Sequence, residues 1–585
     1  MTDHLIPPQS GGSTPADPRN GRPPVHPSIS EAGRLLCVGT YLDTTYRDRV
    51  IDELYVHEER IAAPSYGFDA ARVLAHALRA RRAELAWAAG IAGAWFVGGI
   101  LTSGLILALL FPFLLLSLAD WLRRRPGVGV RVLSMMVRAY AWLMFALTLF
   151  LFWAITTEGT ADFFGSMFSD SSGDRGGFGG YSGSDGYPGS GSADNALSLS
   201  LWLTPFVFAA IVALVALQRG HAARLVARDL DPRRYAAHSG DPVTEGPRFA
   251  RVRDRIRGEQ HSALIMYDIN GPFTGAGEAF RPWQLSVELR PRDDLGPDRR
   301  PQPVSNADIV KHIVPRLQAL RVPSPHGSAQ AQADVLDRLR ELVVDECVFV
   351  PAAGLPHRDR ARQVREQFGA HRLGAIEEGG EARRHFLRIR VGGWDENLVV
   401  TVFVRVHTQG GMLMLEVAPH VLLPVRTDFQ QGDAEAHRFL NNNWLGKTVA
   451  ALTATPSSFW GAVASLFLGL ATWLRIVTGG HGGARPEGPQ LSVRELAAMD
   501  DGSLFHLMDL DRYLKTIQDR VVGGVTEALH EAGWHTAEFA QRAIHVAEGA
   551  TFIQSVSNSA FSVGGTGHHN TAGGGTSGKG SSGGK

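Results

Sequence analysis

From Leu85 to Ala119 the chain reads LAWAAGIAGAWFVGGILTSGLILALLFPFLLLSLA, with no charged side chain between Glu84 and Asp120. As one straight helix this run would be ~50 Å long, well beyond a hydrocarbon core of ~30 Å. Folded into a hairpin it gives two arms of ~16–17 residues each, just enough to span. Leu101-Thr102-Ser103-Gly104 is the natural place to turn. Gly90, Ala94 and Gly98 recur every fourth residue on the first arm, which predicts a smooth face for close helix packing.

Working outward, a second uncharged run covers Ala139 to Thr157 and a third covers Ala196 to Leu217. Each has the length of one membrane helix, with Trp142, Trp153 and Trp202 near the ends where interface anchors sit. Charge orients the set. Arg79, Arg81 and Arg82 precede the first run and Arg123, Arg124 and Arg125 follow it; Arg131 and Arg138 enter the second; Arg219, Arg224 and Arg228 leave the third. The segment 158–196 instead carries Glu158, Asp162, Asp170, Asp174, Asp185 and Asp194 against Arg175 alone. By the positive-inside rule the arginine clusters are cytoplasmic and the acidic Gly/Ser-rich loop is outside. A hairpin at 85–119 satisfies that rule with four spans, and a single span there would not. The expected anchor is therefore residues 84–218, in a multi-pass cell-membrane protein with both termini cytoplasmic.

No Asp, Glu, Lys or Arg lies inside these runs, which disfavours an ion or proton pathway. Lys plus Arg and Asp plus Glu both total 58, so overall charge favours no nucleic-acid partner. Cys37 and Cys347 are far apart and form no C-x-x-C pair, so two buried thiols are expected.

The soluble parts divide by composition. Residues 1–30 and 564–585 are poor in large apolar groups and read as disordered. Residues 31–83 read as a cytoplasmic helical segment, and Pro232 with Ser239–Pro247 as a linker. In residues 250–430, strands are predicted at Ser262–Asn270, Trp283–Arg290, His385–Val391, Leu398–His407 and Met412–Leu422, with helices at Asn306–Leu320 and Ala331–Val344. Gly392-Gly393 and Gly410-Gly411 are turns short enough to join antiparallel neighbours, so the domain is α+β with a meander. The apolar stretch Phe459–Leu474 follows Pro456, taken as its start, and lies within a unit at 457–477. Phe459, Val463, Leu466, Leu470 and Trp473 share a face. A membrane-surface or short re-entrant helix is the leading reading, with a fifth span and a core helix as alternatives. Residues 490–550 read as C-terminal helices, with Leu510, Leu514, Ile517, Val521, Val525 and Leu529 stepping by three or four.

No catalytic set emerges. Pro272, Phe273, Gly275 and Gly277 form a glycine-punctuated loop between strands, without the endings a phosphate loop or a dinucleotide fingerprint requires. It is assigned no role beyond a tight loop or a ligand or partner contact. The histidines show no metal-ligand spacing, so neither metal nor cofactor is expected.

Three segments together carry a resemblance. They are Gly33–Asp43 running to Ala63-Pro64-Ser65-Tyr66-Gly67-Phe68-Asp69; Pro272–Gly277 with Trp283–Val287; and Val493-Arg494-Glu495-Leu496-Ala497 followed by Asp509–Lys515. In this order, around a multi-pass region, the chain resembles a family of uncharacterised membrane proteins of actinobacteria, streptomycetes especially. The resemblance implies a source and no mechanism. The leading expectation is a membrane-anchored cytoplasmic scaffold or sensor, binding a protein partner or ligand near the lipid bilayer. An enzyme with an unrecognised site in 250–430 is the alternative, and a transporter the third.

Overall fold

A computed structural model describes residues 26–123, 127–158, 190–243, 246–294, 300–322, 338–377, 383–392 and 397–551. The expectations for residues 1–25, for most of the acidic loop and for the Gly-rich tail fall outside that set.

The N-terminal segment opens with α1 (Glu31–Leu42), whose Ser30 cap accepts the Gly33 N–H, and continues in α2 (Thr44–Ile51). Helix α1 is buried nearly all round, between α3 (Ala70–Leu101) and Phe429. Asp69 caps α3, which runs unbroken from this soluble core into the apolar stretch. The turn predicted at 101–104 is present: Ser103 and Gly104 take φ of 51° and 87°, and the chain returns through α4 (Leu110–Arg123). Helices α5 (Val128–Glu158) and α6 (Ser190–Arg224) complete the group. Its interior joins Trp95, Ile106, Phe113, Ala141 and Ile211, while Phe96, Met135, Trp142, Trp153 and Trp202 project outward. The small-residue ladder packs at Ala94, against the core of the group, and at Gly98, where an added Cβ would fall 2.6 Å from Val207; nothing lies near Gly90.

The stretch after α6 is not a free linker. Pro232 starts a short helix, Pro232–Ala236, whose Tyr235 is buried, and Asp241 pairs with Arg72. Helix α7 (Pro247–Glu259) then packs Phe249, Val252 and Ile256 into the N-terminal core.

The sheet has seven strands: β1 (Leu264–Tyr267), β2 (Glu278–Ala279), β3 (Trp283–Glu288), β4 (Val343–Pro351), β5 (Arg384–Val391), β6 (Val399–Gln409) and β7 (Met412–Leu422). Their order is β1-β4-β5-β6-β7, with β2 and β3 both on the far edge of β7. Only β1–β4 is parallel, and β5–β6–β7 is the expected meander. Strand β4 corrects the helix expected at Ala331–Val344: residues 323–337 are outside the described set, and Val343 and Val344 begin a strand. Its apolar, β-branched run is what a strand covered on both faces looks like, and periodicity alone does not separate it from a buried helix.

Strand alternation gives the sheet two different faces. Leu387, Ile389, Val402, Val404 and Leu415 face α8 (Asn306–Gln318), α12 (Leu504–Glu531) and α13 (Ala537–Thr551), and α12 buries all six of its predicted positions. Phe349, Phe386 and Phe403 face the other way, toward Tyr66 of the N-terminal segment. Helix α9 (Phe368–Glu377) covers the β4–β5 end. The C-terminal helices therefore pack on one face and the chain leading into α3 packs on the other.

After β7, α10 (Gly432–Asn441) packs against α6 and leads to α11 (Trp444–Thr478). Helix α11 begins well before the sequence reading placed it, and Pro456 lies inside it. The residues read as one face divide between two environments: Phe459 and Leu466 pack beside the buried Ala451, Thr455 and Ala462, while Val463, Leu470 and Trp473 are exposed. Small residues allow a close helix crossing, and the large apolar ones point away. Among the described residues five helices are long and apolar enough to cross a membrane: α3, Leu105–Arg123, Val128–Trp153, Trp202–Asp229 and α11.

Three contacts fix how α11 lies. The Arg219 guanidinium donates to Ala450 O at 2.8 Å, Ser117 Oγ to Pro456 O at 3.3 Å, and Ser465 Oγ to Glu84 Oε1 at 2.6 Å. In sequence, Glu84 immediately precedes the uncharged run 85–119, Ser117 lies two residues before the end of that run, and Arg219 follows the run 196–217. Helix α11 thus contacts α6, α4 and α3, and its Phe459 meets the Trp95 ring at 5.7 Å. Before it, Val425 and Phe429 lie in the core around α1, and after it Val493 and Ala497 lie in that same core.

Candidate functional site

The three segments that carry the family resemblance meet in space. The loop between β1 and β2 closes with Gly275 and Gly277 at φ of 103° and 92°. Their N–H groups both donate to Glu495 Oε1, at 2.7 and 2.9 Å. A Cβ on Gly275 would meet Pro64 O at 2.7 Å, and one on Gly277 would meet Val421 O at 2.1 Å. Only glycine fits such an approach at positive φ. Pro64 is itself held from behind, because Ser65 N–H donates to Gln260 O and the Ala62 N–H to Glu259 Oε2.

Phe273 plugs the sheet below this clamp. Its ring lies 4.8 Å from Phe403, 5.2 Å from Phe349, 5.8 Å from Phe386 and 4.5 Å from His420. Burial lowers His420 to about 4, so it is neutral near pH 7. Pro272 is half-buried beside it. Of the four residues singled out in the sequence, Phe273, Gly275 and Gly277 make defined contacts at this junction. The partner sequence reasoning missed is Glu495. Its burial raises the carboxyl pKa, and the two N–H bonds only partly offset that. The arrangement is a carboxylate clamp on an aromatic plug.

A layer of buried charge lies next to the plug. Fully buried Glu346 accepts from His385 at 2.8 Å and from Arg372, and Asp345 pairs with Arg388. Arg388 and Arg390 stand over the Tyr66 ring at 5.4 and 4.8 Å. Burial would raise both carboxyls, but for Asp345 the charge of Arg388 and for Glu346 the hydrogen bond from His385 outweigh it, so both are lowered.

Two further features sit where the soluble body meets the apolar helices. A cavity of about 310 Å³ is lined by Leu78, Arg79, Arg82, Asp241, Val243 and Phe249, among others. Arg79 is paired with Asp229 at 2.8 Å, and Arg82 is exposed. On the other flank, His57, Glu59 and His481 bring one ligand atom each within 4.8 Å of one another.

An α+β domain docked on one side of a group of long apolar helices is the class this fold defines. The chain carries an AbeC-like domain, whose family model matches residues 282–565. The match begins at β3 and takes in the meander, α11 and the C-terminal helices; α3 to α6 lie outside it. No curated protein and no solved structure matches.

Proposed function

We propose that the protein is a membrane-anchored scaffold or sensor: α3 to α6 make four spans, α11 lies in the inner interface as a crossbar, and both soluble parts work together on the cytoplasmic side. One observation carries this reading: the segments before and after α11 share one core. A fifth span would place them on opposite sides of the bilayer, which one packed core does not allow. The arginine clusters flanking the other spans agree with that side being cytoplasmic. The outward Leu470, Trp473 and Val477 suit a helix whose apolar side lies among acyl chains.

The scaffold or sensor role rests on coupling. The sheet is fixed on one face to α12 and on the other to Tyr66, four residues before α3, so a partner or ligand bound to either face is felt at the membrane. The cavity beside Arg79 and Arg82 is where an anionic ligand would enter. Co-purification from mild detergent tests the role. A stoichiometric partner or retained anionic ligand supports it; the protein recovered alone, with no anion retained, under many conditions counts against it.

A further inference from the structure

The segment Asp52–Ile61 and the chain leaving α11 are stitched together by charge. Arg475 pairs with Asp52 at 2.9 Å, Glu53 Oε1 accepts from the Gln490 N–H, the Ile61 N–H donates to Glu487 O and the Glu487 N–H to Glu59 O. Within this seam Glu59 stands between two imidazoles. His57 Nδ1 is 2.6 Å and His481 Nδ1 is 3.2 Å from Glu59 Oε1, and the two rings meet edge-on at 4.5 Å. His57 and Glu59 are two residues apart, whereas His481 comes from 422 residues further along the chain and is turned inward at Gly480, whose φ is 63°.

A second observation points to a ligand. Glu59 is 5% exposed, yet its Oε2 is buried with no hydrogen-bond partner among the described residues. A buried carboxylate oxygen left bare costs free energy.

We propose that His57, Glu59 and His481 form a binding site for a divalent transition-metal ion of the zinc class. Two imidazoles and one carboxylate are a ligand set such an ion takes, with bonds of ~2.0–2.2 Å that put tetrahedral donors roughly 3.3 Å apart. The His481–Glu59 separation of 3.2 Å already matches, the His57–Glu59 separation of 2.6 Å would have to open by less than an ångström, and all three ligand atoms lie within 4.8 Å of one another. Binding through Nδ1 would place the His57 proton on Nε2, facing the Asp52 carboxylate 4.0 Å away. Arg475, now 3.3 Å from that nitrogen, turns fully onto Asp52. His57 and His481 keep 16% and 20% of their side chains exposed, so the fourth position opens to water. The ion would lock the turn by which the chain leaves the crossbar onto the N-terminal segment.

The test uses the full chain in mild detergent, without a polyhistidine tag, carrying His568→Ala and His569→Ala to remove the tail pair. Titration with cobalt(II), followed by its visible spectrum, and with zinc by calorimetry should give one equivalent with tetrahedral character. His57→Ala and His481→Ala should each weaken binding at least tenfold, with His530→Ala as the unchanged control. Near-UV circular dichroism of the metal-free variants shows that they fold. Absence of stoichiometric binding, or binding unaffected in folded His57→Ala and His481→Ala, would overturn the assignment and leave a purely hydrogen-bonded seam.

Discussion

Replacing Glu495 with alanine removes the single oxygen that two glycine amides share. Gly275 is buried and Gly277 half-buried, so one N–H loses its partner outright and the other gains only partial access to water. An unsatisfied buried amide costs roughly 1–3 kcal/mol, which puts Glu495→Ala at about 2–4 kcal/mol of local stability. Glu495→Gln behaves differently. Its amide oxygen accepts both bonds and removes a carboxylate whose pKa burial holds above 4.5. A raised folded pKa means the stability contributed by this group is fully present below about pH 4.5 and is lost as pH rises through the folded value. Near neutrality Glu495→Gln should therefore match or exceed the parent, and its advantage should shrink on acidification. Hydrogen exchange of peptides covering 268–280 reads this without assuming a two-state transition. Glu495→Ala should speed exchange by about 30- to 1000-fold, since 1.4 kcal/mol is tenfold. Equal loss of protection in Glu495→Gln at pH 7, or unchanged protection in Glu495→Ala, would refute the clamp.

Further expectations follow from the same geometry. Gly277→Ala adds a Cβ 2.1 Å from Val421 O at φ 92°, and should cost about 3 kcal/mol or more, read as lost protection or lost folded yield. Gly524→Ala drives a methyl to 2.7 Å from Ile313 Cα, so α8 and α12 must part, at about 1–3 kcal/mol in thermal shift. Asp241 is held down at about 2: burial raises it, but His76 at 3.7 Å and hydrogen bonds from Arg72 and His238 outweigh that. With the folded pKa depressed, that stability is present above about pH 3.8 and lost as pH falls toward 2. Its size is on the order of 2 kcal/mol, and Asp241→Asn should flatten an acid denaturation curve there.

The sequence was most legible where one physical rule acts alone. The hairpin turn at Thr102–Gly104 followed from length, the meander from short glycine turns, and α12 from its apolar steps. It was opaque where tertiary packing decides. Val343–Pro351 looks the same as a buried helix until β1 and β5 flank it. Pro456 looks like a helix start, but it lies inside α11, which goes without the one backbone hydrogen bond that its missing N–H would make. At the junction, the glycines at 275 and 277 were visible as a loop, whereas Glu495 lies some 220 residues away and nothing local marks it as their acceptor. His57, Glu59 and His481 were missed for the same reason: a pair spaced by two residues becomes a cluster only when the turn at Gly480 brings in the third ligand.

The central claim is that α11 does not cross the bilayer, so residues before and after it lie on one side. Single cysteines at Ser182→Cys, Ser324→Cys and Ser577→Cys, with Cys37 and Cys347 buried, can be probed with a membrane-impermeant maleimide on intact spheroplasts and after lysis. Labelling of position 182 alone before lysis, with 324 and 577 appearing together afterwards, is the predicted result. Labelling of 577 but not 324 on intact spheroplasts would make α11 a fifth span and contradict the account.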